Sequence, residues 1–387
     1  MTQAPSEPEP RAAAADGGTA AFLNRELALL ILLAAAGVAT FLATRALAVS
    51  NASLRARDAA TWHTTGREAL AAGHLAQAVT ALRRAARIDR NDRDIAFALA
   101  SALQASGDQP EAVEVLEVLR DRHPDDPDVN LELARLEAAS DNVPLAIRYY
   151  EDALGSLWSP DVAERNRAIR LEFISLLLAK GQRGRALSQV LLLAADLPAD
   201  RSWRLRAGRL FLAAGDPTRA LTRAAAILEA DDGDQDAMTL AGEASFQLGD
   251  YARARRWLSR VRTPEPRVAA LLDVAGLVIS TDPLAPRLAT AERRRRAGIL
   301  LDRATTRLEA CGPLTPDRAT LAESVRAAAE AVAPAGRRSG TEVRDQAEEA
   351  IGLALRAERL ASSCPNPTPL DRAIPLIAKI RQIEELP

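Results

Sequence analysis

Lysine, histidine, cysteine and the aromatics are all scarce in this 387-residue chain, and each shortage closes off a class of function. The three histidines and two cysteines show no CxxC or HExxH spacing, so no metal site, redox pair or other cofactor is expected. GxSxG and P-loop patterns are missing too, which removes familiar routes to acyl transfer and nucleotide chemistry. Aromatics make up 3 % of residues, and with Val and Ile also sparse a β-rich core is disfavoured. Only Lys180 and Lys379 are lysines, so arginine carries nearly all the basic charge. The 50 basic residues are balanced by 52 acidic ones, and no basic excess points to nucleic acid. What the chain does have is alanine, which dominates a hydrophobic content of 48 %. Alanine is the best helix former and lets helices approach closely, so an all-α fold is expected.

Leu27 to Thr44, LALLILLAAAGVATFLAT, contains no charge over 18 residues. As a helix it spans roughly 27 Å, close to the roughly 30 Å of a bilayer's hydrocarbon core. A secretory signal is the competing reading, with Ala46-Leu47-Ala48 as its cleavage site. The apolar part of such a signal is usually about 7 to 15 residues, however, and Arg45 is unfavourable just before that site. An uncleaved anchor is therefore expected over residues 25–49, with residues 27–44 in the membrane. A disordered tail (1–24), rich in Pro, Glu, Ala and Gly, would precede it and a short linker (50–58) would follow. Arg11 and Arg25 lie before the segment and Arg45, Arg55 and Arg57 after it, so the charge count does not favour an exported C-terminus, although long domains translocate largely regardless of such charges.

Beyond the linker the chain repeats itself. Gly73 and Gly107 are 34 residues apart, Asp141 follows 34 later, and Gly215 and Gly249 are again 34 apart. Lys180-Gly181 comes late because the stretch WSPDVAERN (158–166) carries a six-residue insertion. After each mark come an alanine and, four residues on, a second small or apolar position. The pairs are Ala78 and Leu82, Ala112 and Leu116, Ala146 and Tyr150, Ala186 and Val190, Ala220 and Ala224, Ala254 and Leu258. Glycine tolerates the left-handed backbone that ends one helix, and the small residue admits a close second helix. Pro124, Pro198 and Pro266 close several units.

This pattern resembles the tetratricopeptide repeat (TPR) family, most clearly at Trp62, Gly66, Ala78, Leu82 and Ala85. Asp141 departs from it at a turn glycine, Ile174 at the small residue of the fourth unit, and Arg90 and Asp232 at terminal prolines. The expected fold is a solenoid of about six helical hairpins over residues 59–268, preceded by the transmembrane helix and followed by a helical domain over 269–387. The resemblance implies a groove lined by the first helix of each hairpin. Its inward positions here would be His63, Arg67, Phe97, Ser101, Gln104, Leu131, Arg135, Leu171, Ser175, Leu205, Arg209 and Phe246. Arg67, Arg135 and Arg209 share one repeat position and could each hold a carboxylate by two hydrogen bonds, or simply face solvent. The carboxylate clamp of chaperone-binding TPR proteins is not recognisable among them.

After Pro266 the period is lost, but helices are still expected at 287–311, 316–333, 341–363 and 371–385. RRRR at 293–296 reads either as an anion patch or as one solvated face. Cys311 and Cys364 each lie at the end of a predicted helix, on its apolar stripe. An up-down-up bundle would bring them to one end, where a disulfide or two buried thiols are the alternatives. A disulfide would persist only in an oxidising compartment and so would put the C-terminal bulk outside the cytoplasm. The sequence therefore points to a non-enzymatic, membrane-anchored scaffold or adaptor that binds a protein or peptide partner in the groove, with bacterial cell-envelope assembly as its expected role. An enzyme, or a polysaccharide- or lipid-binding component, working through the C-terminal helices is the alternative.

Overall fold

The computed structural model describes residues 17–155, 163–310, 315–333, 339–364 and 367–383. Among the described residues there are seventeen helices and no strands. The chain divides into two compact units, Met1–Pro160 and Asp161–Pro387. The division falls between Pro160 and Asp161.

The first unit holds α1 (Gly17–Ala71), α2 (Leu75–Ile88), α3 (Arg93–Ser106), α4 (Gln109–Arg120), α5 (Pro127–Ala139) and α6 (Val143–Gly155). These form three helical hairpins, the first of which uses the C-terminal end of α1. The second unit adds three more: α7 (Ala163–Ala179) with α8 (Arg183–Ala195), α9 (Arg201–Ala213) with α10 (Pro217–Leu228), and α11 (Gln235–Gln247) with α12 (Tyr251–Leu258). Then follow α13 (Pro266–Thr281), α14 (Thr290–Glu309), α15 (Pro316–Val332), α16 (Gly340–Leu360) and α17 (Pro369–Arg381).

The 34-residue marks are the hairpin turns. Gly73, Gly107, Gly181, Gly215 and Gly249 have φ between +69° and +89°, the left-handed region in which a side chain is costly. Asp141 holds the third turn at φ +62°, as a short polar residue can. The alanines five residues after the turns, Ala78, Ala112, Ala146, Ala186, Ala220 and Ala254, are all fully buried. A Cβ added to Gly66 would lie 2.5 Å from Leu82 Cγ, and one on Gly242 would lie 2.2 Å from Leu258 Cδ2. The glycine is therefore what lets the paired helices touch. In the fourth hairpin Ile174 replaces the glycine, and the second apolar position is the shorter Val190; both are fully buried.

A second ladder reinforces the first. Asp92, Asp126, Asp200 and Asp234 cap the first helices, each accepting a backbone N–H from the first turn. Arg93, at the start of α3, pairs with Asp126 and Asp128 at the start of α5. Arg201 does the same to Asp234 and Asp236 from α9 to α11. The arginine thus clasps one repeat to the cap of the next.

Three boundaries differ from the sequence expectation. Residues 50–58 are not a linker but part of α1, which runs unbroken through 55 residues. No glycine or proline occurs between Gly37 and Gly66 to interrupt it. Residues 17–24 belong to the same helix, while the rest of the predicted tail lies outside the described residues. The apolar part of α1 is the one stretch among the described residues long and apolar enough to cross a membrane. Finally, Tyr251 and Ala254 of α12 share one apolar core with α13 to α17, so the last repeat and the C-terminal helices are continuous.

Candidate partner-binding surface

In the second unit, the face made by first helices carries two hollows. One, of about 400 Å³, is lined from α7 by Glu164, Arg167, Leu171, Glu172 and Ser175 and from α9 by Trp203 and Arg206. The other, of about 520 Å³, lies among α9, α11, α13 and the 261–265 loop. Arg209, Gln235, Asp236, Thr239, Glu243, Gln247, Glu265 and Arg267 supply its polar lining. Trp203, Arg206 and Arg209 follow at three-residue spacing, so they form one ridge of α9 between the two hollows. The Arg206 guanidinium stacks over Trp203, 5.3 Å from the ring centre. Arg209 donates to Asp236 at 2.9 Å.

Of the predicted groove residues, Leu171 and Ser175 therefore meet in one hollow and Arg209 lines the other. Leu131 and Leu205 are buried. Phe246 also turns to the interior, packing against the core and edge-on to Tyr251 with ring centres 5.1 Å apart. An aromatic ring gains more from that packing than from solvent. In the first unit Arg67, Ser101 and Gln104 are exposed and His63 is half-buried. Phe97 lies under the Arg93 guanidinium at 5.0 Å. Arg135 pairs with Glu132 along its own helix at 2.7 Å.

Counting the repeat register onward would have found one more groove residue. The position of Arg67, Ser101, Arg135, Ser175 and Arg209 falls in the sixth hairpin on Glu243. Its carboxylate is 15 % exposed and lies 3.1 Å from the Arg267 guanidinium. Burial pushes the Glu243 carboxyl up, and Arg267 and Arg209 oppose this without overcoming it.

The C-terminal helices hold a charged cluster that the sequence did not reveal. Asp371 is buried in the N-terminal capping box of α17 and accepts both ends of the Arg303 guanidinium from α14. Arg307, also buried, donates to the Ala361 and Cys364 carbonyl oxygens at 3.0 and 3.3 Å. Glu358 of α16 lies beside both groups, and burial followed by its hydrogen bond with Asp371 lifts its pKa to about 7. Asp371 goes the other way, to about 2, because the Arg303 bond and the Thr368 backbone N–H outweigh its desolvation. Next to the cluster is a cavity of about 500 Å³ rimmed by Arg359, Arg372 and Lys379.

Cys364, just past α16, is disulfide-bonded; Cys311 lies outside the described residues. The RRRR run is not one solvated face. Arg296 donates to the Ile279 and Asp282 carbonyls at 3.0 and 3.1 Å, and Arg293 to that of Pro283 at 2.9 Å. Two of its four arginines thus turn inward to close the end of α13. Among the described residues no three His, Cys, Asp or Glu side chains come together to hold a metal ion.

Two family models match the chain. One, described as the cytochrome c-type biogenesis protein H TPR domain, covers residues 50–163. The other, a tetratricopeptide repeat, covers residues 211–273. No curated protein matches the chain. Solved structures similar to it include YrrB, described as a TPR protein with an unusual peptide-binding site. It is 17 % identical with a TM-score of 0.38, over 49 % of this chain and 95 % of that one. PilW, described as a widely conserved type IV pilus biogenesis factor, is 16 % identical with a TM-score of 0.36, over 55 % and 98 %. A TPR repeat-containing protein from Cytophaga hutchinsonii is 13 % identical with a TM-score of 0.39, over 73 % and 98 %. With its turn glycines, buried alanines and paired helices recurring in register, and both family models falling on those hairpins, the chain carries tetratricopeptide repeats over residues 50–163 and 211–273.

Proposed function

We propose that this chain is a non-enzymatic, single-pass membrane scaffold that holds a partner protein or peptide against its first-helix face. Its work is cell-envelope assembly, with the C-terminal bulk outside the cytoplasm. The observation that carries the reading is the pair of hollows on either side of the α9 ridge, lined by side chains at the groove positions of the repeat. Concave, mixed-polarity sites of several hundred Å³ are where ligands are held. The match of residues 50–163 to a cytochrome c-type biogenesis TPR domain supports the envelope role. The apolar stretch of α1 supports the anchor, and the disulfide at Cys364 supports an oxidising compartment.

A photo-crosslinking residue at Ser175 should capture a discrete partner in membranes. Arg206→Glu, in the same hollow as Ser175, should abolish that capture while leaving helicity and thermal stability unchanged. Arg206 is exposed, and exposed substitutions usually move stability by less than about 0.5 kcal/mol. Capture that survives the charge reversal refutes this use of the groove.

A second reading places an enzyme, or a polysaccharide- or lipid-binding component, in the C-terminal helices. Its one supporting observation is the Arg303, Arg307, Glu358 and Asp371 cluster beside the cavity there. The bonds of that cluster tie α14 to α16 and α17, which favours a structural role.

A further inference from the structure

Glu243 breaks the chemistry of its repeat position. The five earlier occupants are arginines and serines, and the sixth is a carboxylate set into the 520 Å³ hollow. Resting on the groove reading above, we infer that Glu243 is a specificity-determining residue that selects a partner segment placing a lysine or arginine side chain in the hollow among α9, α11 and α13.

The charges of the hollow support this. Asp236 is already engaged by Arg201 and Arg209. With Arg209 and Asp236 paired, the remaining lining charges are Glu243, Glu265 and Arg267, one acid in excess. A carboxylate that is 15 % exposed needs a cation or hydrogen-bond donors to offset its desolvation. Its ion partner on the chain is weakly held, because Arg267 is 73 % exposed. Most of the Arg267 guanidinium lies in water, so an entering cation can replace it as the carboxylate's partner while Arg267 keeps its own hydration. An entering ammonium or guanidinium would be shielded from water by the walls of the hollow and would form a stronger, charge-assisted bond. The raised pKa of Glu243 accords with a carboxyl that Arg267 leaves under-compensated. The other charged groups facing it, Arg209 from α9 and Glu265 at the start of α13, belong to the hollow and not to the repeat ladder.

The test is selection of a random peptide display library on the full chain in lipid nanodiscs. Wild type should yield a consensus with a basic residue at a fixed position. A synthetic consensus peptide should bind Glu243→Gln at least about ten-fold more weakly, and Arg267→Ala several-fold more tightly, because the competing guanidinium is gone. Glu243→Lys should select acidic peptides instead. A wild-type consensus without a basic residue, or undiminished binding to Glu243→Gln in chain of unchanged melting temperature, overturns the inference alone. Failure of wild type to select any peptide overturns the groove reading and the inference with it.

Discussion

Replacing Gly242 by alanine is a direct test of the helix contact that defines the repeat. Gly242 lies inside α11, and its new Cβ would stand 2.2 Å from Leu258 Cδ2 and 2.5 Å from Cγ. Leu258 is fully buried, so its branch point has no free space into which to retreat. Overpacking of this kind costs about 1–3 kcal/mol, set against a gain of about 1 kcal/mol from replacing glycine within a helix. Gly298, inside α14, supplies the control, because its Cβ would meet nothing within 4 Å. Gly298→Ala should therefore stabilise by about 0.5–1 kcal/mol. The propensity gain is common to both substitutions, so the difference between them isolates the steric cost of about 1–3 kcal/mol. At roughly 2–4 °C per kcal/mol for a body of this size, thermal melts followed by circular dichroism resolve it. Shortening Leu258 to alanine should cost less in the Gly242→Ala chain than in wild type, giving a coupling that a double-mutant cycle reads directly. Equal shifts for the two glycine replacements, or additive effects with Leu258→Ala, would refute the reasoning.

The remaining expectations concern charge and topology. Glu358, lifted from 4.5 to about 7 by burial, binds a proton more tightly in the folded chain. Its contribution is thus present below about pH 4.5 and is lost as pH rises through about 7; Glu358→Gln should flatten the melting temperature across that window, and an unchanged slope would clear Glu358 of the effect. Arg201→Ala leaves the buried Asp234 cap without its cation and should cost about 1–2 kcal/mol by urea unfolding, whereas Arg253→Ala, which removes an exposed pair within one helix, should cost under about 0.5 kcal/mol. Deleting residues 25–49 should release a helical protein from membranes, and a truncated chain that still needs detergent contradicts the anchor. Alkylation of denatured protein before and after reduction, read by mass, should find both cysteines blocked in freshly quenched cells; two free thiols would remove the argument for an exported C-terminal bulk.

The parts of the fold that repeat were legible because repetition turns weak single-residue signals into a register. Gly107 alone says little; Gly107 at 34 residues from Gly73, with Ala112 and Leu116 in step, fixes a turn and a helix face. The same register held Glu243, which continuing the count by one unit would have shown. The Arg93 and Arg201 clasps were also written in the sequence, as an arginine followed 33 and 35 residues later by aspartates. They pass unnoticed where arginine is this common. The buried cluster in the C-terminal helices had no such signal. Arg307, Glu358 and Asp371 come from three helices with no common period, and only tertiary packing brings them together. Periodicity gives the face of a helix but not the packing of each side chain on it, as Phe246, edge-on to Tyr251, illustrates.

The unbroken course of α1 has a mechanical consequence. A tether with a flexible joint would let the repeats swivel freely above the bilayer. Here the helix that contains the apolar span becomes, without a break, the first helix of the first hairpin. From Thr44 to Ala59 it rises about 22 Å, so the two ends behave as opposite arms of one rod. With the span anchored as proposed, any tilt or roll imposed on it within the lipid would be transmitted as torque to the first hairpin. The bilayer would then set not only how far this protein can reach but also which way its first repeat faces.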